Sequence, residues 1–255
     1  MLQSLPGQTG VAAHWALEIL AFIVAGLIYW RASETATQPP ETLARWMLLA
    51  GAAVGGALGS RLLFMLQYAP DLLGQPLSSW LSGKTIVGGL LGAIAGIEIV
   101  KKHLRWQAST GDGFVWPLII AILIGRLGCQ LSGLQDLTYG DPTTLPWGWN
   151  YGDGVPRHPT ALYEMLGVGM LALTIRRPLP SAAPGDRFRF FAAGYLLLRL
   201  LLDFLKPPYG AAAQGLLVPQ LVLGLTPIQW ACCAGLLYYL PSILGRLRRL
   251  ERAFG

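Results

Sequence analysis

The chain has 255 residues, 53% of them apolar and only 13% charged, with a formal net charge of +6 and a mean hydropathy of +0.49. This excludes an ordinary water-soluble domain, in which about a quarter of the residues are charged, and points to the bilayer as the solvent. The positive charge calls for no nucleic acid, because it collects along one flank of the apolar segments, where anionic headgroups would meet it.

Apolar stretches of the roughly 20 residues needed to cross the hydrocarbon are read at 13–31, 46–68, 85–100, 113–131, 160–175, 188–205 and 226–245. The fold class expected is therefore all-α, a polytopic membrane protein of about seven transmembrane helices forming one domain over 1–255. The third and fifth stretches are short and glycine-bearing or charge-flanked, so a tilted, broken or re-entrant element is expected there. The first stretch follows no basic n-region, carries Glu18 and runs to full spanning length, so it reads as a retained helix and not a cleaved signal peptide. Alternate connections hold 13 of the 19 Lys and Arg residues, from Arg31 and Arg45 to Arg246, Arg248, Arg249 and Arg252. The positive-inside rule then places the N-terminus outside and the C-terminus in the cytoplasm.

Ionisable residues inside spans cost several kcal/mol unless they face the bundle and find partners, so they mark function. Here they are Glu18, Arg61, Glu98, Arg126, Glu164, Arg199 and Asp203. Lys84 opens the third span beside two glycines, where it can snorkel to headgroups or line a cavity. Glu98 lies one turn before Lys101 and Lys102 and reads as a structural ion pair. Arg126 sits among glycines in IGRLGCQLSG at the outer end of the fourth span, where another backbone or a ligand can come close.

The loop at about 132–158 is dense in Gly, Pro, Asp and Trp and reads as an ordered outer loop with interfacial tryptophans. It contributes Tyr139, Asp136 and Asp153, and ends in Arg157 and His158, just before Tyr163 and Glu164. An imidazole suits proton transfer, although a loop histidine is more often a hydrogen-bonded structural residue. His14, at the start of the first span, and His103, in a basic inner loop, carry less weight.

On the sixth span Arg199 and Asp203 stand four apart and can pair, and Lys206 extends that face outward. Taken alone, such a pair could simply fix helix packing. With Arg126 near the same level it makes a clamp for a phosphodiester, which guanidinium binds in bidentate fashion. The segment 207–225 is too apolar for a water-exposed loop and reads as an amphipathic element in the interface. Cys129, Cys232 and Cys233 offer no zinc or iron-sulfur spacing, so no metal or dissociable cofactor is expected. Cys129 is a possible nucleophile, but its apolar span argues for low reactivity.

The stretches TIVGGLLG, IGRLGCQLSGLQDLTYGDPTTLPWG, PRHPTALYE and YLLLRLLLDFLK resemble, in order and spacing, the bacterial prolipoprotein diacylglyceryl transferases. These are integral inner-membrane enzymes that move a diacylglyceryl group from phosphatidylglycerol onto a lipoprotein cysteine. The resemblance implies that Arg126 and Arg199 are the family's two essential arginines, that Asp203 shortens a glutamate, and that His158 and Tyr163 belong to its HPxxLYE element. It fails at Val87, where the family has histidine, at Cys129 for asparagine, at Leu134 for glutamate with Asp136 displaced by two, and at Ala16 for tyrosine with Glu18 two further on.

The reading that follows is a multi-pass transferase of the bacterial inner membrane. It takes phosphatidylglycerol, or a related anionic phospholipid, as donor and an unidentified acceptor, which could be a lipoprotein precursor. The catalytic set expected is His158, Arg126, Arg199, Asp203 and Glu18. The lipid-binding set is Arg126, Arg199, Arg157, Lys84, Lys206, Tyr139 and Tyr163. Glu18, Lys84, Asp136, Tyr139, Asp153 and His158 are expected to supply replacement acid-base groups. The rival reading is a lipid-binding protein that kept the headgroup clamp and lost the chemistry.

Overall fold

The computed structural model describes residues 4–5, 7–34, 42–72, 76–136, 138–176, 183–207 and 221–254. Its seven long helices are α1 (Gly7–Glu34), α2 (Thr42–Gln67), α5 (Ile86–His103), α6 (Val115–Ser132), α7 (Thr160–Arg176), α8 (Asp186–Leu202) and α9 (Pro227–Phe254). Two short helices, α3 (Ala69–Leu72) and α4 (Leu77–Ser82), lie between α2 and α5. The third and fifth apolar stretches, expected to break or re-enter, are the continuous helices α5 and α7.

Among the described residues, four helical segments are long and apolar enough to cross a membrane: Gly7–Ala32, Thr42–Gln67, Gly111–Ser132 and Pro227–Gly245. The other three fall short for physical reasons. Helix α5 carries Glu98, Lys101 and Lys102 within 18 residues, and α7 and α8 have 17 residues each, about 26 Å at 1.5 Å per residue. Large apolar side chains such as Phe22, Leu58, Leu166 and Leu237 point outward, as they must when lipid tails replace water around the bundle.

Small residues decide which helices touch. A Cβ on Gly92 or Gly96 would run into the carbonyl oxygen of Gly55 or Gly51, and one on Gly88 into that of Gly59. Two i, i+4 rows of glycine thus let α2 and α5 cross antiparallel, backbone on backbone. Ser60 and Thr85 lock the same crossing: Ser60 Oγ donates to the Thr85 carbonyl at 2.8 Å and accepts from the Thr85 N–H at 2.9 Å. Thr85 Oγ1 also accepts from the Gly88 N–H, which caps α5.

Helix α1 packs antiparallel on α6 by the same device. Gly10 faces the Leu131 carbonyl, and Gly128 leaves room for the His14 backbone. Between the remaining helices runs an apolar core in two patches, one around Ile119, Val168, Phe191 and Tyr195, the other around Leu63, Val87, Ala192 and Leu196. Val87 is 1% exposed in the second patch. The position where the family pattern has a histidine is therefore apolar core here.

The loop over 138–158 folds on itself. Trp149–Asn150 pairs antiparallel with Pro156–Arg157, and Asn150 Oδ1 accepts from the N–H groups of Gly152 and Gly154 at 2.8 and 3.0 Å. Both glycines have positive φ, 117° and 78°, which a Cβ would oppose. Asp141 N–H donates to the Leu205 carbonyl at 2.8 Å, so the loop is tied to the end of α8. The segment expected to lie in the interface falls, over 208–220, outside the described residues.

Candidate active site

Ionisable side chains from three helices and the turn after the last of them meet at one end of the bundle. Arg126 comes from the last turns of α6, Glu164 from the first turns of α7 and Arg199 from the last turn of α8. Asp203 opens the 3-10 turn after α8, and Lys206 closes it. Glu164 is the hub. Its Oε2 lies 2.9 Å from Arg126 Nη2 and 2.6 Å from Arg199 Nη1, and its Oε1 accepts from the Tyr195 hydroxyl at 2.7 Å. Arg199 Nη2 reaches Asp203 Oδ1 at 2.9 Å, with Lys206 Nζ 3.9 Å from the same oxygen.

This centre is dry: Glu164 is 0% exposed and Arg126 and Arg199 are each 4% exposed. At that burial an uncompensated charge is costly, so the balance matters. Three cations, Arg126, Arg199 and Lys206, face two carboxylates, Glu164 and Asp203. The Nε–H groups of both arginines are buried without a hydrogen-bond partner among the described residues. The centre therefore carries one excess positive charge and two unused donors.

A second cluster adjoins it through Cys129, whose Sγ lies 3.6 Å from Arg126 Nη1. His14 Nε2 stands 3.6 Å from Asp136 Oδ1 and 3.8 Å from Glu18 Oε2. Lys84 pairs with Glu18 Oε1 and also lies 5.2 Å from the centre of the Trp15 ring. The expectation that the cysteines lack ligand-type neighbours is corrected here. The ligand atoms of His14, Cys129 and Asp136 all lie within 4.8 Å of one another, although 115 positions of sequence separate the first two.

The replacement acid-base residues expected to converge do so only in part. Glu18, Lys84 and Asp136 join the second cluster, with His14 added. Asp153 and Tyr139 instead surround Arg157, whose Nη2 lies 2.6 Å from Asp153 Oδ2 and whose guanidinium carbon is 5.0 Å from the centre of the Tyr139 ring. Burial works against charge on Asp153, but the Arg157 hydrogen bonds outweigh it and hold the carboxyl below its ordinary range. Asp141, also in the loop, is pushed up by burial.

His158 occupies a third position. Its Nδ1 is 3.3 Å from the Tyr163 hydroxyl, which accepts from Trp147 Nε1 at 2.7 Å. Its backbone N–H donates to the Asp141 carbonyl at 2.9 Å, so the loop fixes the backbone that carries the ring. Glu98 pairs with Lys101 at 2.9 Å, as its spacing suggests.

Two residues carry more of the geometry than the sequence reading gives them. Glu164 is the shared partner of both arginines, and the available signal is an intramembrane carboxylate in a chain with intramembrane arginines to satisfy. His14 enters only because Gly128 lets α1 approach α6, a tertiary contact with no local pattern.

Comparison with known proteins places these residues in context. Residues 4–241 match the family described as prolipoprotein diacylglyceryl transferase. A protein of Polynucleobacter asymbioticus is 33% identical over 236 residues, covering 87% of each chain. One of Vibrio vulnificus is 31% identical over 250 residues, 88% of this chain and 89% of its own. One of Cupriavidus metallidurans is 31% identical over 200 residues, 70% and 72% of the two chains. All three are named phosphatidylglycerol–prolipoprotein diacylglyceryl transferase.

Proposed function

Because the chain belongs to the prolipoprotein diacylglyceryl transferase family, we propose that it moves a diacylglyceryl group from phosphatidylglycerol to a nucleophilic acceptor at the outer face of the bacterial inner membrane. In this reading all seven long helices cross the bilayer with the N-terminus outside. The distribution of charge supports that arrangement. Arg31, Arg45, Lys101, Lys102 and Arg176 fall at one end of their helices, whereas the arginine centre and the loop lie at the other.

The observation that carries the proposal is the excess charge of the Arg126–Arg199–Lys206 centre. One phosphodiester, with one negative charge and two free oxygens, neutralises it and can accept from the two unused Nε–H donors. A zwitterionic headgroup brings no net charge and leaves the excess in place. Tyr163, beside His158, and Arg157 and Tyr139, on the loop, would contact the glycerol end of the headgroup. Lys84 would guard the side toward α1.

In the reaction, a bond forms from the acceptor's nucleophilic atom to the diacylglyceryl carbon while the carbon–oxygen bond to phosphorus breaks. The electron pair leaves with the phosphate oxygen, and a second negative charge develops on the departing glycerol phosphate. Guanidinium groups already fixed by Glu164 and Asp203 meet that charge without reorganising, which is how electrostatic stabilisation lowers a barrier.

The acceptor must lose a proton. Glu18 and Asp203, the two carboxylates considered for this, are already engaged in ion pairs with Lys84 and Arg199. We assign the role to His158, whose ring contact is the neutral Tyr163 phenol. The test uses the purified full chain, phosphatidylglycerol labelled in its acyl chains, and a membrane extract as acceptor source. His158→Ala should bind the lipid and leave the acceptor unlabelled; labelling at the wild-type rate would remove His158 from the mechanism.

A further inference from the structure

We propose that His14, Cys129 and Asp136 form a site for a divalent metal ion of the zinc class, which Glu18, facing His14 but outside that group of three, would complete as fourth ligand by a shift of its side chain. Three residues at or beside the positions where this chain departs from the family pattern gather here: Cys129, the displaced Asp136, and Glu18, two positions beyond Ala16. Imidazole, thiolate and carboxylate are the donors zinc takes, in tetrahedral sites with bonds of about 2.0 to 2.3 Å. Bonds of that length set neighbouring ligand atoms roughly 3.3 to 3.8 Å apart. The separations from His14 Nε2 to Asp136 Oδ1 and Glu18 Oε2, 3.6 and 3.8 Å, already fall in that range, and the Cys129 sulfur lies within 4.8 Å of the His14 and Asp136 donor atoms.

The carboxylates are arranged as ligands are. Thr138 Oγ1 donates to Asp136 Oδ2 at 2.8 Å, leaving Oδ1 turned to His14. Lys84 holds Glu18 Oε1, leaving Oε2 turned to the same imidazole. That second oxygen is buried and accepts no hydrogen bond among the described residues, an arrangement that a metal bond would satisfy. Arg126 Nη1 faces the Cys129 sulfur at 3.6 Å, a cationic neighbour for a metal-bound sulfur.

Charge closes on the same count. A Cys129 thiolate, Glu18 and Asp136 contribute three negative charges and Lys84 one positive, so a divalent ion with a neutral His14 leaves the cluster uncharged. The adjoining arginine centre keeps its single excess charge for the headgroup.

Metal binding is read directly, apart from transferase activity. The full-length protein, purified in detergent under reducing conditions, is stripped with chelator and titrated with Co2+, then with Zn2+ in competition. The expected result is about one equivalent of cobalt per chain, tetrahedral d–d bands and a thiolate-to-cobalt charge-transfer band. Zn2+ should displace it. Cys129→Ser should lose the charge-transfer band and Cys233→Ser keep it, while Asp136→Asn, which keeps the side-chain shape, should weaken binding at least about tenfold. Wild-type protein that elutes as a single species yet binds less than about a tenth of an equivalent overturns the proposal. So does a charge-transfer band that persists in Cys129→Ser, or an affinity unchanged in Asp136→Asn.

Discussion

Replacing Glu164 by Gln probes the electrostatics of the arginine centre, because it keeps the shape and one of the two acceptor oxygens and removes one charge. Arg126 and Arg199 share Glu164 Oε2 at 2.9 and 2.6 Å in a pocket where Glu164 is fully buried. Loss of that charge raises the excess from one positive charge to two. Breaking a buried pair by removing one partner costs about 3 to 5 kcal/mol, and each kcal/mol moves the melting temperature of a chain this size by roughly 2 to 4 °C. Apparent melting in zwitterionic detergent should therefore fall by roughly 6 to 20 °C. Anionic lipid should repair part of the loss, since its phosphate supplies negative charge where the carboxylate supplied it, and a ligand stabilises in proportion to its preference for the folded state. The assay is thermal unfolding of both proteins with added phosphatidylglycerol or phosphatidylethanolamine. Phosphatidylglycerol should raise the variant's melting temperature more than the wild type's, and phosphatidylethanolamine should do little for either. Equal shifts with both lipids, or a variant that melts with the wild type, would refute the charge argument.

Other consequences can be checked as simply. Arg199→Lys keeps a charge but cannot bridge Glu164 and Asp203 with two nitrogens, so kcat/KM should drop by at least about 100-fold, or ~2.7 kcal/mol of transition-state stabilisation; a smaller than tenfold loss in a labelled-lipid assay would contradict the bridging role. Gly92→Leu places a Cβ against the Gly55 carbonyl and should abolish monodisperse expression, whereas Gly169→Ala, with nothing within 4 Å of the new carbon, should melt like the wild type. The Arg157 pair holds Asp153 below its ordinary range, so the stability it gives the loop is present above the unfolded carboxyl value, near 3.9. That stability is lost as pH falls through the lower folded value. Protease nicking of the loop should rise only at strongly acid pH in the wild type, and already near neutrality in Asp153→Asn.

Much of the fold was legible because the bilayer imposes a simple code. The span read at 46–68 corresponds to Thr42–Gln67, since apolar length marks a helix that lipid surrounds, and the shorter stretch read at 160–175 is the helix Thr160–Arg176. The pairing of Arg199 with Asp203 follows from their i, i+4 spacing, and the structure shows it. The glycine rows on α2 and α5 were present as letters, but their partnering depends on which helices meet, and no local pattern states that. For the same reason Glu164, read beside His158, emerged as the partner of two arginines 38 and 35 positions away. His14, given little weight at the start of the first span, lies against two carboxylates and near a thiol only through the α1–α6 crossing. Arg157, expected in the lipid-binding set, is held by the loop hairpin against Asp153 and Tyr139, a placement that depends on the strand pairing and not on its position beside His158.

The central claim is that the arginine centre holds an anionic headgroup for transfer and does more than bind it. Phosphatidylglycerol labelled in the glycerol phosphate headgroup, incubated with the purified chain and an acceptor extract, measures this directly. The account predicts release of labelled glycerol phosphate, in step with acceptor modification, by the wild type, and none by Arg126→Gln. Saturable, headgroup-selective binding without release, or equal release by Arg126→Gln, would contradict it.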